Sequence, residues 1–303
     1  MTRPLVAVIG LATSDLILRL PWPIHRGGRH VAREALRAGG GVAATAAVAC
    51  ARLGVPTAFI GQVGDDDAGR ALVDELGREG VDIAALEVVR GGRTPSSAVL
   101  VDDGGERTIL HDPGQLPRLR LDGAALERCG AAAWIHLDGL GYGALEALRD
   151  AGVEAPVTLD AGNPISGLEL RDIACYAPTE RSLERRYPGL PLDEAAHGAM
   201  GEGAERVVIT LGAAGSAGFE RRDGAILRVA APAPEVMVSS TLGAGDVFHG
   251  ALVAAFARGL DLEDAMRLAN AAAALSTRSL DARSAIPTWS EAASLAQGGA
   301  AGR

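Results

Sequence analysis

The sequence has no lysine, and all 29 of its basic side chains are arginine. A phosphate-binding loop of the Walker type requires a lysine, and so does Schiff-base chemistry, so both are excluded. The base composition of the genome is a sufficient explanation for the uniform use of arginine. The absence of lysine therefore restricts the chemistry of the chain without identifying a site.

Aromatic residues are also scarce, at 3% of the chain, so Ala, Val and Leu must form most of the core. With 303 residues, of which 48% are hydrophobic, the chain can form one large α/β domain or two small ones. The net charge of -9 argues against a general binder of nucleic acid or of acidic membranes. We therefore expect neither nucleic acid nor membrane as a partner.

Long apolar runs are absent, since no stretch approaches the roughly 20 residues of a membrane span. The first 15 residues, MTRPLVAVIGLATSD, are too short and strand-like for a signal peptide. The three cysteines, Cys50, Cys129 and Cys175, are widely spaced and form no disulfide or zinc pattern. We expect buried thiols in a reducing cytoplasm.

Strand and helix patterns alternate along the first part of the chain. LVAVIG (5–10), SDLILRL (14–20) and TAFIGQVG (57–64) are typical of strands. GGGVAATAAVACARLG (39–54) and DDAGRALVDELGREG (66–80) are typical of helices that end at glycine. This alternation predicts an α/β fold with a mainly parallel sheet covered by helices.

The segment SSAVLVDDGGERTIL (96–110) interrupts this alternation and predicts a hairpin outside the main sheet. The remaining elements follow the α/β pattern: strands are predicted at 132–139, 155–162 and 206–215, and helices at 244–258 and 262–278. The Ala- and Gly-rich tail, 296–303, is expected to be flexible.

Two glycines and a carboxylate precede an apolar helix in TLGAGDVFHGAL (241–252). Glycines leave backbone N–H groups accessible, and at a helix N-terminus these groups attract anions. Asp246 would repel a bound phosphate, but it could accept a proton from an attacking hydroxyl, as phosphoryl transfer requires. An aspartate that caps a helix after a glycine turn is an equally good explanation. We interpret His249, three residues later, as structural.

Three motifs carry a family resemblance. TLGAGDVFHGAL resembles the C-terminal signature of the ribokinase-like (PfkB) carbohydrate kinases. GGGVAATAAVACARLG followed by AFIGQVGDDDAG resembles their N-terminal signature, and VITLGAAGS resembles their nucleotide-side strand. The motifs occur in the family's order between about residues 5 and 288. Their framework is most similar to the sulfofructose kinase branch.

The resemblance implies a doubly wound α/β domain, residues 1–295, with a small β lid formed by about 11–37 and 95–112. It implies ATP and Mg²⁺ as cofactors and transfer of the γ-phosphate to a sugar hydroxymethyl group. It also implies a homodimer through the lid and a cytoplasmic enzyme whose partners are a small-molecule sugar and ATP.

The resemblance assigns site residues position by position. Asp246 matches the catalytic base, and the backbone of Gly243, Ala244 and Gly245 matches the anion hole. The sugar-side matches are Asp15, Gly39, Gly40, Gly41 and Thr45, with Arg29 and His111 from the lid. The nucleotide-side matches are Thr210, Gly212, Gly215 and Asn270. Without the resemblance, a strand-end cap and ordinary glycine turns explain most of these positions.

The sequence departs from the family pattern in several places. Thr45 replaces the usual sugar-binding Asn, and Ser240 replaces an Asp that helps to hold a monovalent cation in many members. The Asn-x-x-Glu motif linked to magnesium is absent, and APTERSLERR (177–186) offers only Glu180 nearby. The late turn SLDARSAIP (279–287) has no glycine. The identity of the metal ligands is therefore left open.

The predicted lid carries basic residues that bear on the substrate. Arg26, Arg29 and Arg33 lie in PIHRGGRHVAREALRAGGG (23–41), together with His25 and His30. Guanidinium groups suit phosphate, sulfonate or carboxylate, but a solvated lid edge or a dimer contact explains them as well.

The pocket resembles the sulfofructose branch less closely than the framework does. Arg29 stands where that branch tends to have a basic residue. However, His111 replaces an expected Asn, and LDGLGYG (137–143) lacks an expected arginine. We predict a ketose-type or related sugar, with anionic sulfo- and phospho-sugars among the candidates.

The leading hypothesis is an ATP-dependent carbohydrate kinase. A nucleoside or phosphosugar kinase of the same fold is the alternative within this reaction type. A non-catalytic regulator that binds sugar or nucleotide is the alternative from another class, favoured by Ser240 and the missing Asn-x-x-Glu but not by the intact Asp246. A dinucleotide oxidoreductase is disfavoured because the first strand ends in VIGLATSD, without a Gly-x-Gly-x-x-Gly turn.

Overall fold

The computed structural model describes residues 5–298. The strands and helices follow one another as β1 (Leu5–Ile9), β2 (Thr13–Arg19), β3 (Glu34–Gly40), α1 (Val42–Arg52), β4 (Thr57–Gly64), α2 (Asp67–Arg78), β5 (Leu86–Val89), β6 (Ser96–Val101), β7 (Arg107–Asp112), α3 (Gly123–Ala131), β8 (Ala132–Leu137), α4 (Leu145–Asp150), β9 (Val157–Ala161), β10 (Cys175–Pro178), α5 (Glu180–Arg186), α6 (Leu192–Gly201), β11 (Arg206–Thr210), β12 (Ser216–Arg222), β13 (Ala225–Ala231), α7 (Ala244–Ala257), α8 (Leu262–Ser276) and α9 (Trp289–Gly298).

The main sheet has nine strands in the order β13-β12-β11-β10-β9-β8-β1-β4-β5. Strands β1, β4, β5 and β8 to β11 pair in parallel, whereas β12 and β13 are antiparallel at one edge. The chain moves from β1 outward to β5 and later returns to β8 on the other side of β1. Strands β1 and β8 therefore flank a topological switch point, where ligands bind in open α/β sheets. The predicted doubly wound, mainly parallel sheet is confirmed.

Helices cover both faces of this sheet, which explains the continuous apolar run in β1. Val6 and Val8 point into the core formed with α1, α2, α7, α8 and α9. Ala7 and Ile9 point into the core formed with α3 to α6. Successive side chains of a strand face opposite sides, so a strand buried on both faces has no polar positions.

A second sheet has four strands in the order β3-β2-β6-β7. It is formed by residues from both predicted lid segments, and we call it the lid sheet. Its inner face packs through Ile17, Val99 and Val101 against Leu242 and the loop before α9. Strand β3 was not predicted, because its glycine-rich end resembles a turn. It nevertheless pairs with β2 along its whole length, from Thr13 opposite Gly40 to Arg19 opposite Glu34.

The tail 296–303 was predicted to be flexible, but its first three residues, 296–298, form the end of α9. The rest of that tail, 299–303, lies outside the described residues, as do residues 1–4. Among the described helices, none has the length and hydropathy needed to cross a membrane. Cys50, Cys129 and Cys175 are buried and unpaired.

Candidate active site

Asp138 lies at the switch point, directly after β8, and is almost fully buried. Its Oδ2 accepts hydrogen bonds from the backbone N–H of Leu11 (2.8 Å) and Ala43 (3.3 Å). Its Oδ1 accepts from Leu140 (2.9 Å) and Gly141 (2.8 Å). Burial raises its pKa to about 6 in spite of these donors. Asp138 thus joins the end of β1 to the start of α1. Asp138 was not predicted as a site residue, although an aspartate directly after a strand was a visible signal in the sequence.

Asp15 and His111, both predicted on the sugar side, are brought together by the lid sheet. The register of β2, β6 and β7 places Asp15 beside Ser97 and Ser97 beside His111. Thr13 Oγ1 donates to Asp15 Oδ1 at 2.8 Å, and Ser97 Oγ lies 3.3 Å from His111 Nδ1. Burial raises the pKa of Asp15, while hydrogen bonds from Thr13 and Ser97 oppose that shift. The three strands therefore present one connected polar row.

The glycine turn Gly39, Gly40 and Gly41 connects β3 to α1 and lies against Asp15. A Cβ at Gly40 would be 2.0 Å from Asp15 Oδ2, so a side chain there would displace the carboxylate. Gly41 has φ of 92° and is the N-cap of α1, a conformation that favours glycine. Gly40 and Gly41 are therefore positions that require glycine, which agrees with a turn whose backbone lies close to Asp15.

Arg283 holds this turn from behind and was not predicted. Its guanidinium is buried and donates to Gly40 O (2.7 Å), Glu75 Oε1 (2.8 Å) and Thr45 Oγ1 (3.3 Å). Glu75 also accepts from the N–H of Gly39 at 2.9 Å. Thr45 is fully buried and supports the turn, so its contact with a sugar stays a prediction. The loop 279–287, noted above for lacking glycine, thus supplies an arginine that holds the glycine turn in place.

Gly243 begins α7 with φ of 72° and provides no side-chain cap. A Cβ at this position would be 2.3 Å from the Cβ of Ala282. Within residues 5–298, the N–H groups of Gly245 and Asp246 have no hydrogen-bond partner, and Ala244 N has only a long bond of 3.4 Å to Thr241 O. The start of this helix therefore has the donors needed to bind an anion.

Asp246 lies in the first turn of α7 and is half-buried. Burial raises its pKa well above the ordinary value, and the nearby carboxylate of Asp160 raises it further. The guanidinium of Arg107 opposes this shift. Arg107 extends from the lid strand β7 and donates to Thr241 Oγ1 at 2.9 Å. Asp246 is therefore a carboxylate that holds a proton more readily than an exposed one.

Of the residues predicted on the nucleotide side, Thr210 ends β11, and Gly212 and Gly215 lie in the turn that follows. Leu211 N donates to Gly215 O at 2.8 Å and closes the turn. Gly215 has φ of 96°, and a Cβ there would be 2.2 Å from Ala231 O. Gly212 has φ of 59° with open space at its Cβ position. The turn is thus packed against Ala231 at Gly215, whereas Gly212 has open space that a ligand could occupy.

Asn270 lies on α8 beneath this turn and is buried. Its Nδ2 donates to Ser216 Oγ at 2.9 Å and to Ala231 O at 2.8 Å. Both donors of the amide are therefore used to connect α8 to β12 and β13. The predicted contact of Asn270 with adenine stays a prediction.

The basic arm between β2 and β3 is exposed, and its arginines differ in their contacts. Arg33 Nη1 donates to Asp103 Oδ1 at 2.6 Å across the lid, as expected of a lid-edge residue. Arg26 and Arg29 make no hydrogen bond or ion pair with any described residue. Arg29 therefore remains available for an anion, but the structure does not bring it into contact with Asp15 or Asp246.

The departures from the family pattern have structural roles. Ser240 is buried, and its Oγ accepts from Leu242 N at 3.2 Å, which supports the turn before α7. Thr179 caps α5, and Ser182 Oγ donates to Gly162 O at 2.7 Å. Glu180 is exposed. None of these contacts identifies a ligand for magnesium or for a monovalent cation.

The family model for pfkB family carbohydrate kinases matches residues 3–159 and 178–289. The chain belongs to this family. Its relatives include a ribokinase of Arabidopsis thaliana, 28% identical over 312 residues, which cover 96% of this chain and 80% of that protein. The ATP-dependent ribose-1-phosphate kinase of Halopiger xanaduensis is 29% identical over 299 residues, with 98% and 99% coverage. The predicted family and an ATP-dependent carbohydrate kinase activity are thereby confirmed.

The fold of this pfkB kinase matches that of the Arabidopsis thaliana ribokinase structure complexed with ribose and ATP. The TM-score is 0.83 at 27% identity, over 98% of this chain and 99% of that one. The ribokinase-like fold is confirmed. The detailed resemblance to the sulfofructose kinase branch stays a prediction.

Proposed function

We propose that this pfkB kinase transfers the γ-phosphate of ATP to a sugar hydroxymethyl group, with Asp246 as general base. The observation that carries the proposal is the position of Asp246 in the first turn of α7, beside the open N–H groups that begin this helix. The attacking hydroxyl gives its proton to Asp246 while its oxygen bonds to the γ-phosphorus and ADP leaves. The backbone of Gly243, Ala244 and Gly245 stabilises the charge on the transferring group.

ATP fits the residues that are present. The turn at Thr210, Gly212 and Gly215 leaves open space at Gly212, and the N-terminus of α7 offers unpaired donors to phosphate. Mg²⁺, when bound, neutralises phosphate charge and keeps several water ligands, so it needs few protein ligands. We assign no residue to it.

The sugar lies, in this proposal, between the lid sheet and the switch point. Asp15 binds sugar hydroxyls, His111 continues the polar row, and Gly40 allows the sugar to approach the backbone. Arg283 acts indirectly, because it holds the Gly40 carbonyl and Thr45 in place.

We further propose a ketose-type sugar that carries a phosphate or sulfonate. The free guanidinium groups of Arg26 and Arg29 support an anionic group, since they have no partner among residues 5–298. A fructokinase of Solanum tuberosum, 28% identical over 88% of this chain, supports a ketose. The ribose-1-phosphate kinase of Halopiger xanaduensis supports a phosphorylated pentose as the second candidate.

Replacement of Arg29 tests the anionic substrate. We expect Arg29→Gln to raise KM for the anionic sugar at least about tenfold, because a charge-assisted hydrogen bond contributes roughly 1.5–3 kcal/mol. The measurement is ADP release with fructose, ribose and their phosphorylated and sulfonated forms. Arg221→Gln, at an exposed arginine of β12, is the matched control and should leave KM unchanged. If the enzyme acts only on neutral sugars and Arg29→Gln does not change this activity, Arg29 does not bind substrate and is an exposed residue at the lid edge.

The pH dependence of kcat/KM tests the environment of Asp246. The base must be ionised, so activity is lost as pH falls through its pKa. Arg107 lowers that pKa, and its removal therefore raises it. We expect Arg107→Gln to move the acid limb of the profile to higher pH, and Arg107→Lys to move it much less. An acid limb at the same pH in all three proteins would show that Arg107 does not act on the base.

The outer face of the lid sheet supports a homodimer. Leu16, Leu18 and Leu100 are only half-buried there, and Leu110 is exposed. We propose that a second copy covers this face, because contiguous apolar patches mark interaction sites. Light scattering should give a dimer for the native chain and a monomer for Leu100→Glu.

We also propose a cytoplasmic location, because the cytoplasm supplies ATP and its reducing conditions suit the three unpaired thiols. Cell fractionation tests this location.

A further inference from the structure

A cluster of three buried side chains lies one helical turn along α7 from Asp246. His136 comes from β8, Asp160 from β9 and His249 from α7. Their side chains are 1%, 7% and 3% exposed. One nitrogen of each histidine and one oxygen of Asp160 all lie within 4.8 Å of one another. Three separate elements thus converge on one point in the protein interior.

Outer contacts fix the orientation of two of these side chains. Thr158 Oγ1 lies 2.8 Å from His136 Nδ1, and the same hydroxyl donates to Ile135 O at 3.4 Å. The Nδ1 side of the His136 ring is thus occupied by Thr158, whereas Nε2 has no hydrogen-bond partner. Asp160 Oδ1 accepts from Gly162 N at 2.8 Å, which leaves Oδ2 facing His249. Metal-binding residues are commonly held in this way by partners outside the ligand set.

Two nitrogens of the cluster lack hydrogen bonds. His136 Nε2 and His249 Nε2 are buried without a hydrogen-bond partner. His249 Nδ1 lies 2.5 Å from Asp160 Oδ2, which is close enough for an ion pair or a hydrogen bond between the two side chains. Buried polar atoms without partners are rare because they are costly, and two such imidazole nitrogens beside one carboxylate point to a cation between them.

We propose that His136, Asp160 and His249 bind one divalent metal ion of the zinc and cobalt class. Imidazole nitrogen combined with carboxylate oxygen is a donor set for these ions, whereas Mg²⁺ and Ca²⁺ prefer oxygen ligands. The site is therefore distinct in chemistry from the Mg²⁺ that accompanies ATP. The bound ion joins β8 and β9 to α7 close to the turn that carries the catalytic base.

The test is cobalt binding to the full chain, freed of metal by a chelator and kept without ATP and magnesium. We expect one cobalt ion per chain with visible absorption bands, displacement by zinc, and a midpoint of thermal unfolding raised by about 5 °C. His136→Gln and His249→Asn should each abolish binding while remaining folded in chelator, as judged by circular dichroism. His30→Gln is the control, because His25 and His30 form an exposed pair that could also take up metal.

Each outcome decides the proposal without reference to kinase activity. No stoichiometric uptake of cobalt or zinc by the wild-type chain overturns it. If His136→Gln and His249→Asn still bind cobalt but His30→Gln does not, the metal binds to the exposed arm. This result also overturns the proposal. If the cluster variants do not fold, X-ray absorption of the cobalt-loaded His30→Gln protein takes their place, because this protein lacks the exposed histidine pair. Two imidazoles in the cobalt shell support the buried site, and a shell with fewer than two overturns it.

Discussion

Asp246→Asn should reduce kcat at least about a hundredfold while the protein stays folded, which is the usual scale for loss of a general base. The amide is similar in size to the carboxylate but cannot accept the proton of the attacking hydroxyl. The stability of the variant should not fall, because burial and the nearby Asp160 already disfavour a charge at this position. Steady-state kinetics together with a denaturation curve measure both effects.

Asp264→Asn is the matched control for this substitution. Asp264 is the third residue of α8, just as Asp246 is the third residue of α7, but it is exposed and lies on another helix. The control should retain wild-type kcat. A kcat for Asp246→Asn within a few-fold of wild type would remove Asp246 from the role of base.

Gly243→Ala should lower both stability and rate. The φ of 72° costs an alanine about 1–2 kcal/mol, and the contact of 2.3 Å with Ala282 adds about 1–3 kcal/mol of overpacking. The start of α7 must then shift, and misplacing its N–H donors should cost about a hundredfold in kcat. Urea denaturation and kinetics on the same preparation measure the two losses.

Gly130→Ala provides the comparison for Gly243→Ala. Gly130 lies within α3, has open space at its Cβ position and has no positive φ. Alanine there should leave kcat unchanged and stability equal or slightly higher, since alanine is the better helix former. If Gly243→Ala has wild-type stability and kcat, the tight turn does not require glycine and its N–H donors do not contribute to catalysis as proposed.

The fold was accessible from the sequence where local patterns and burial agree. The run in β1 is apolar at every position because helices cover both faces, and that pattern alone indicates a parallel strand. Strand β3 was not accessible in this way. Its pairing with β2 is decided by the neighbouring strand, and its own sequence, EALRAGG, alternates poorly and ends in glycines.

The site was accessible where one short motif contains both the backbone and the side chain that act. The turn at Gly243 and the carboxylate of Asp246 are adjacent in sequence, so their combination is visible there. Arg283 was missed because its partners are distant in the chain, and Leu11 and Ala43, which donate to Asp138, are distant from it as well. Arg283 contacts Gly40 and Thr45 across more than 200 residues, and such pairings become apparent only when the fold brings the segments together.

The most direct measurement is ADP release by the wild-type chain and by Asp246→Asn, assayed side by side with ATP and Mg²⁺. The panel contains neutral, phosphorylated, sulfonated and carboxylated sugars. The proposed function predicts turnover of an anionic ketose or pentose by the wild type and loss of at least about a hundredfold in the variant. Sugar binding without turnover of any panel member would instead indicate a regulator, and equal turnover by both proteins would contradict the assignment of the base.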